Sequence, residues 1–204
     1  VLIYSVITIG FSGFAQDREV YLLADTVIAN EYLSKAKILA EKAKYDSSNI
    51  YYNYAVKIFK QLAEQNSEMN LWMPVVYASN AIGWNVMMLG KYDSSLTLLE
   101  MNLELGKSKL GKIHSEVAQT YNNMGTVYWY DGKYDKALEM HENSLSIKSA
   151  LFGEASQEVA GTYINLGLTY HKKGDYDKAL EMYQTALNIG VPIYGENNGR
   201  IAAN

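Results

Sequence analysis

Three glycines set the frame of this chain. Gly83, Gly125 and Gly167 stand 42 residues apart, and the same step separates Gly90, Gly132 and Gly174, then Gly111, Gly153 and Gly195. Tyr92, Tyr134 and Tyr176 keep it, as do Leu96, Leu138 and Leu180. One spacing held at independent columns over successive copies marks a repeat array, in which each unit is a supersecondary element that cannot bury its apolar face alone. An upstream copy is looser. Tyr45-Asp46-Ser47-Ser48 matches Tyr92-Asp93-Ser94-Ser95 at a step of 47, which calls for an insertion or a longer connection.

Inside each unit the apolar period is helical. Val117, Tyr121, Met124 and Tyr128, then Ala137, Leu138, Leu145 and Ile147, recur at steps suited to one helix face, and Asp131-Gly132-Lys133 breaks the run in two. Each unit is therefore a helical hairpin. Gly132 suits the tightly turned residue that closes a helix, and Asp135 lies where a carboxylate favours the amide-rich start of the next. Helices are expected near 18–44, 47–65, 71–89, 93–109, 115–131, 135–150, 157–173 and 177–190. Gly83, Gly125 and Gly167 fall mid-helix, where glycine costs about 1 kcal/mol against alanine. Close approach of the paired helix is the expected compensation, with Ala137 and Ala179 on the far side of that contact.

Tyr163, Leu166, Gly167, Tyr170, Ala179, Tyr183 and Ala186 resemble the aromatic, Leu-Gly, Tyr, Ala, aromatic and Ala positions of the tetratricopeptide repeat. The 42-residue step, with Leu151-Phe152-Gly153-Glu154 ahead of Val159-Ala160 and Asn165-Leu166-Gly167, is similar to the longer kinesin-light-chain type of unit and not to the form of about 34 residues. The likeness covers about Leu33 to Glu196 and is strongest from Val75 onward. Ser48 and Ser95 depart from it at the first alanine position, His141 at the second aromatic one, and Ala36 at the first unit's glycine. The resemblance implies an all-α, right-handed superhelical array of antiparallel helix hairpins, with residues 16–70 forming N-terminal helices and a divergent first repeat and 71–200 forming three units.

The ends read differently from the middle. Residues 1–15 carry no charge, and Gly13 and Ala15 stand where a signal peptidase wants small residues. They are expected to be a signal peptide, truncated at its start, which places the mature chain outside the cytoplasm, periplasmic or extracellular, or in the extracytoplasmic part of a larger protein. A buried N-terminal helix or a membrane anchor is the competing reading. At the other end Ile201 and Ala202 repeat Val159 and Ala160 at the 42-residue step, so residues 201–204 are expected to open a further repeat.

Chemistry is sparse. With a net charge of -4 the chain has no general attraction to phosphate backbones or anionic lipid, so nucleic acid is not an expected partner. It has no cysteine. His114, His141 and His171 form no HExxH or related pair and are expected on the surface or in a groove, binding no metal. The glycines keep repeat spacing and not the spacing of a phosphate loop, and Ser47-Ser48 and Ser94-Ser95 read as helix starts. Neither a catalytic residue nor a cofactor is expected.

What remains is a surface. In the resembling family the first helix of each unit lines the concave side. That places Tyr77, Asn80, Trp84, Met87 and Met88 in the groove from the second unit, Gln119, Asn122, Thr126, Trp129 and Tyr130 from the third, and Leu168, His171 and Lys172 from the fourth. Amides can bond an extended backbone, and Trp and Tyr supply large rigid contact area. Packing against a neighbouring repeat is the alternative for any one of them. The expected function is a non-catalytic scaffold binding a peptide or protein segment. The alternative is the recognition region of a larger protein, with a caspase-like peptidase or a kinase or DNA-binding signalling output beyond Asn204.

Overall fold

A computed structural model describes residues 14–66 and 71–194, within which the chain forms eight α-helices and no strand. They are α1 (Phe14–Glu41), α2 (Tyr45–Gln65), α3 (Trp72–Met88), α4 (Tyr92–Leu110), α5 (Ser115–Tyr130), α6 (Tyr134–Phe152), α7 (Gln157–Lys173) and α8 (Tyr176–Tyr194). The expected leader lies outside the described residues except for Phe14 and Ala15, which open α1. The expected repeat at 201–204 lies outside them too. Among the described residues no helix is long and apolar enough to cross a membrane.

Consecutive helices pair into four hairpins, and each second helix packs on the first helix of the next unit. From the second unit on, the first helices also touch one another, α3 on α5 and α5 on α7, a contact the second helices do not match. Helices α3, α5 and α7 therefore line the short, inner side of the stack.

The turn between the two helices of a unit is the same throughout. The peptide N–H two or three residues past each first helix reaches back five residues, as in Lys133 N to Tyr128 O at 2.9 Å, and the residue before it takes a positive φ. This is the glycine-closed helix end that satisfies the last carbonyls. Gly132 holds the position with φ +75°; in the first unit Ala43 holds it with φ 54° and the same pair of backbone bonds.

The mid-helix glycines are contact points. A Cβ on Gly83 would stand 2.6 Å from Leu99, one on Gly125 2.6 Å from the His141 ring and one on Gly167 2.5 Å from Tyr183. Leu99, His141 and Tyr183 are one column of the repeat, so the bulky partner of the glycine is this residue and not Ala137 or Ala179, although both alanines are buried. Leu99 is fully buried, which stabilises the unit by about 1.5–3 kcal/mol.

Ser48 and Ser95 are also not simple helix starts. Both are fully buried, and their hydroxyls donate to the carbonyls of Ala36 (2.8 Å) and Gly83 (2.7 Å) across the hairpin. A hydroxyl is tolerated at the family's alanine position there, since a carbonyl of the facing helix accepts its proton.

Candidate functional site

The inner face is built by helices α3, α5 and α7, and the first question is which of its expected residues remain accessible. Tyr77, Trp84 and Met88 on α3 are exposed, Trp84 to 39%, as are Tyr130 on α5 and Leu168 on α7. Trp84, Thr126 and Leu168 occupy one column of the repeat, which runs along the open side of the three helices.

Two expected groove residues are corrected by the structure. Met87 is 2% exposed and packs among Leu96, Leu99, Met124 and Val127 in the largest core cluster. Asn80 is 3% exposed. Its amide donates to the Glu116 carbonyl (3.1 Å) and carboxylate (3.2 Å), while its side-chain oxygen accepts from Asn102, which also donates to the Val76 carbonyl. Burial raises the Glu116 pKa, although the Asn80 amide and nearby His114 oppose that shift. Asn80 thus ties α3 to α4 and α5, and its polar groups are unavailable to a partner.

The remaining amides act in the same way. Asn123 donates to the Asn80 backbone carbonyl (3.5 Å) and Asn165 to the Asn122 side-chain oxygen (2.8 Å), the same pair of columns 42 residues later with a different acceptor atom. Asn122 is half-buried by this clasp, and exposed Gln119 donates to Asn123 (2.8 Å). Asn123 and Asn165 were legible as a 42-residue column adjacent to Asn80 and Asn122, a signal that a search for free groove side chains passes over.

Between α5 and α7 the inner face is concave enough to hold a cavity of about 170 Å³. Thr126, Trp129, Tyr130 and Leu168, all expected in the groove, line it together with His141, expected on the surface or in a groove, and with Asn165 and Thr169, which were not among the expected groove residues. Trp129 is half-buried. Its indole N–H points at the Leu168 carbonyl (3.5 Å), its ring meets Tyr130 edge-on at 4.9 Å, and the Lys172 ammonium lies 5.5 Å from its ring centroid. Tyr130 also stacks on Tyr92 of the preceding unit at 6.4 Å, so the aromatic rim is continuous across a unit boundary.

The histidines separate into three environments. His114 precedes α5 and accepts the Glu116 N–H (3.1 Å) as its N-cap. Exposed His171 sets its ring edge-on to Tyr176, away from the cavity lining. His141, expected on the surface or in a groove, is 2% exposed and fills the space in front of Gly125. Burial, assisted by the positive Lys148, pushes its pKa down to about 4, so the ring is neutral at neutral pH. Its position in the second-aromatic column, opposite a glycine, is what buries it.

The tetratricopeptide-repeat family matches residues 78–150, 116–190 and 158–203, together more than half of the chain. No curated protein matches it. Among solved structures, BtubC (BKLC) from P. vanneervenii is similar at 25% identity and TM-score 0.68, over 85% of this chain and 67% of that one. A putative kinesin light chain from Podospora anserina with nearly identical TPR-like repeats is similar in fold at 14% identity and TM-score 0.65, over 86% and 78%. The Rap conjugation gene regulator of plasmid pLS20, solved with the Phr* peptide, is similar in fold at 17% identity and TM-score 0.69, over 82% of this chain and 43% of the Rap chain. The chain thus spans less than half of that regulator's length. With its glycine columns, hairpin stacking and inner-face geometry, the chain belongs to the tetratricopeptide-repeat family.

Proposed function

We propose that this protein is a non-catalytic interaction scaffold that binds an extended segment of a protein partner along the inner face of α3, α5 and α7. The observation that carries the reading is the set of aromatic and apolar side chains Tyr77, Trp84, Tyr130 and Leu168 exposed on α3, α5 and α7, the last two of which line the α5–α7 cavity. Large rigid side chains beside a depression are what binding hot spots are made of. The peptide-bound Rap structure supports the reading by analogy, since a protein of the same fold holds a peptide.

Selection of a random linear-peptide library on the purified chain tests it. Enriched peptides should lose most of their affinity for Trp84→Ala and Tyr130→Ala variants that remain folded. No enrichment, or peptides indifferent to both substitutions, would remove the proposal.

The same groove serves whether the array acts alone or as the recognition part of a longer protein with a peptidase or signalling output. Reading the gene beyond Asn204 distinguishes the two. We further propose export, supported by the uncharged leader of residues 1–15. Mature protein from its source should begin at or near Gln16, and an intact leader in a cytoplasmic fraction would contradict this.

A further inference from the structure

The cavity between α5 and α7 has hydrogen-bonding capacity that its own walls leave unmet. His141 is 2% exposed, lines the cavity, and has a buried Nδ1 with no hydrogen-bond partner. A neutral imidazole has one N–H donor and one bare acceptor nitrogen in either tautomer. Around it, the hydroxyl protons of Thr126 and Thr169 are already committed to the Asn122 and Asn165 carbonyls, at 3.0 and 2.7 Å. Those two oxygens therefore offer the cavity lone pairs only.

Size and charge narrow the occupant. About 170 Å³ is well below the roughly 300–1,000 Å³ of small-molecule and cofactor sites, and is room for one side chain. No carboxylate lines the cavity, and Lys172 stands over Trp129 at its edge, so a lysine or arginine would enter without a counter-charge. A carboxylate would face the threonine lone pairs. A purely aliphatic or phenylalanine side chain would leave the imidazole unpaired. The Trp129 ring and Leu168 offer apolar walls to a flat body, and the polar wall asks for a neutral group able to donate.

We propose that the cavity is a pocket for a tyrosine side chain of the bound segment, with its phenolic hydroxyl hydrogen-bonded to His141. The hydroxyl both donates and accepts, so it satisfies either tautomer of the ring. The pocket belongs to one unit, because Leu99 and Tyr183 occupy the corresponding position in its neighbours. It would therefore fix the register of a segment along an otherwise repetitive groove. The inference rests on reading the inner face as a peptide groove.

The test uses the full chain with p-cresol, the tyrosine side-chain analogue, and toluene, the phenylalanine one. In NMR titrations p-cresol should perturb the amides of Thr126 and Leu168 and bind at least about tenfold more tightly than toluene. In His141→Leu, which installs the residue that packs on Gly83 in the second unit, the two probes should bind alike. The unsubstituted chain gives an independent reading, since the His141 ring-nitrogen resonances should move with p-cresol and stay in place with toluene. Equal affinities, a preference that survives His141→Leu, or unmoved ring nitrogens would overturn the pocket. The probes have no peptide backbone, so they read the pocket apart from the groove. Library peptides that bind the inner face without a tyrosine would leave the groove standing and remove this inference alone.

Discussion

The His141 ring lies directly in front of Gly125, so close that a Cβ on the glycine would stand 2.6 Å from Cε1. The ring is 2% exposed, so to make room it would have to leave its packed position toward the cavity that it lines. Gly125→Ala should therefore destabilise the chain by about 1–3 kcal/mol through overpacking, despite alanine's better helix propensity. Gly161, in the open part of α7 with nothing within 4 Å of a Cβ, is the control. Gly161→Ala should stabilise by about 0.5–1 kcal/mol. Denaturant melts of both variants check the pair, and a loss at Gly161 as large as at Gly125 would refute the contact argument.

Ala43 occupies the left-handed turn position that Gly90, Gly132 and Gly174 hold in the later units. An L-residue with a Cβ is strained there by about 1–2 kcal/mol. Ala43→Gly should recover part of this, offset by the extra freedom glycine has in the unfolded chain, for a net gain of about 0.5–1 kcal/mol. Thermal unfolding of the variant should show a raised midpoint. The same substitution reversed, Gly132→Ala, should lower it.

The array and its hairpins were legible from the glycine columns because each column has one physical job, a turn or a close approach, that recurs whenever the unit recurs. Helix ends follow for the same reason: α6 was expected at 135–150 and runs Tyr134–Phe152. Accessibility did not follow from the columns. Met87, Trp129 and His171 share one, yet they are buried, half-buried and exposed in turn. Met87 is covered by residues of α4 and α5, and Trp129 by its own cluster and the edge of α7. Burial of a groove position thus depends on the neighbouring unit's side chains, which a repeat pattern averages away. The asparagine clasps and the buried serine hydroxyls escaped for a related reason, since a polar residue reads as solvent-facing until its partner in another helix is known.

Stability should depend on pH through His141. Its pKa falls from an ordinary 6.5 to about 4 on folding, so between those values the unfolded chain binds the additional proton. The stabilisation is fully present above about pH 6.5 and is progressively lost as pH falls toward 4, amounting to about 3 kcal/mol over the window. Unfolding free energies of the wild type and His141→Leu, measured from pH 7 down to 4, should diverge in slope, with the wild type losing stability faster. Parallel curves would mean that the ring reaches solvent when it is protonated.

Trp84 and Trp129 separate binding from folding on the inner face. Trp84 is 39% exposed on α3, so Trp84→Ala should cost about 1 kcal/mol or less of stability while removing about 2 kcal/mol or more of peptide affinity. Trp129 is half-buried, packs on the central core cluster and points its indole N–H at α7. Trp129→Ala should therefore lose affinity and also about 2–3 kcal/mol of stability, less than the 3–5 kcal/mol typical of a wholly buried tryptophan. Paired melts and binding isotherms with one library-selected peptide decide the matter. If Trp129→Ala leaves the melting temperature unchanged, the indole is not bracing α5 against α7. If Trp84→Ala binds the peptide as well as the wild type, the groove does not extend to the second unit.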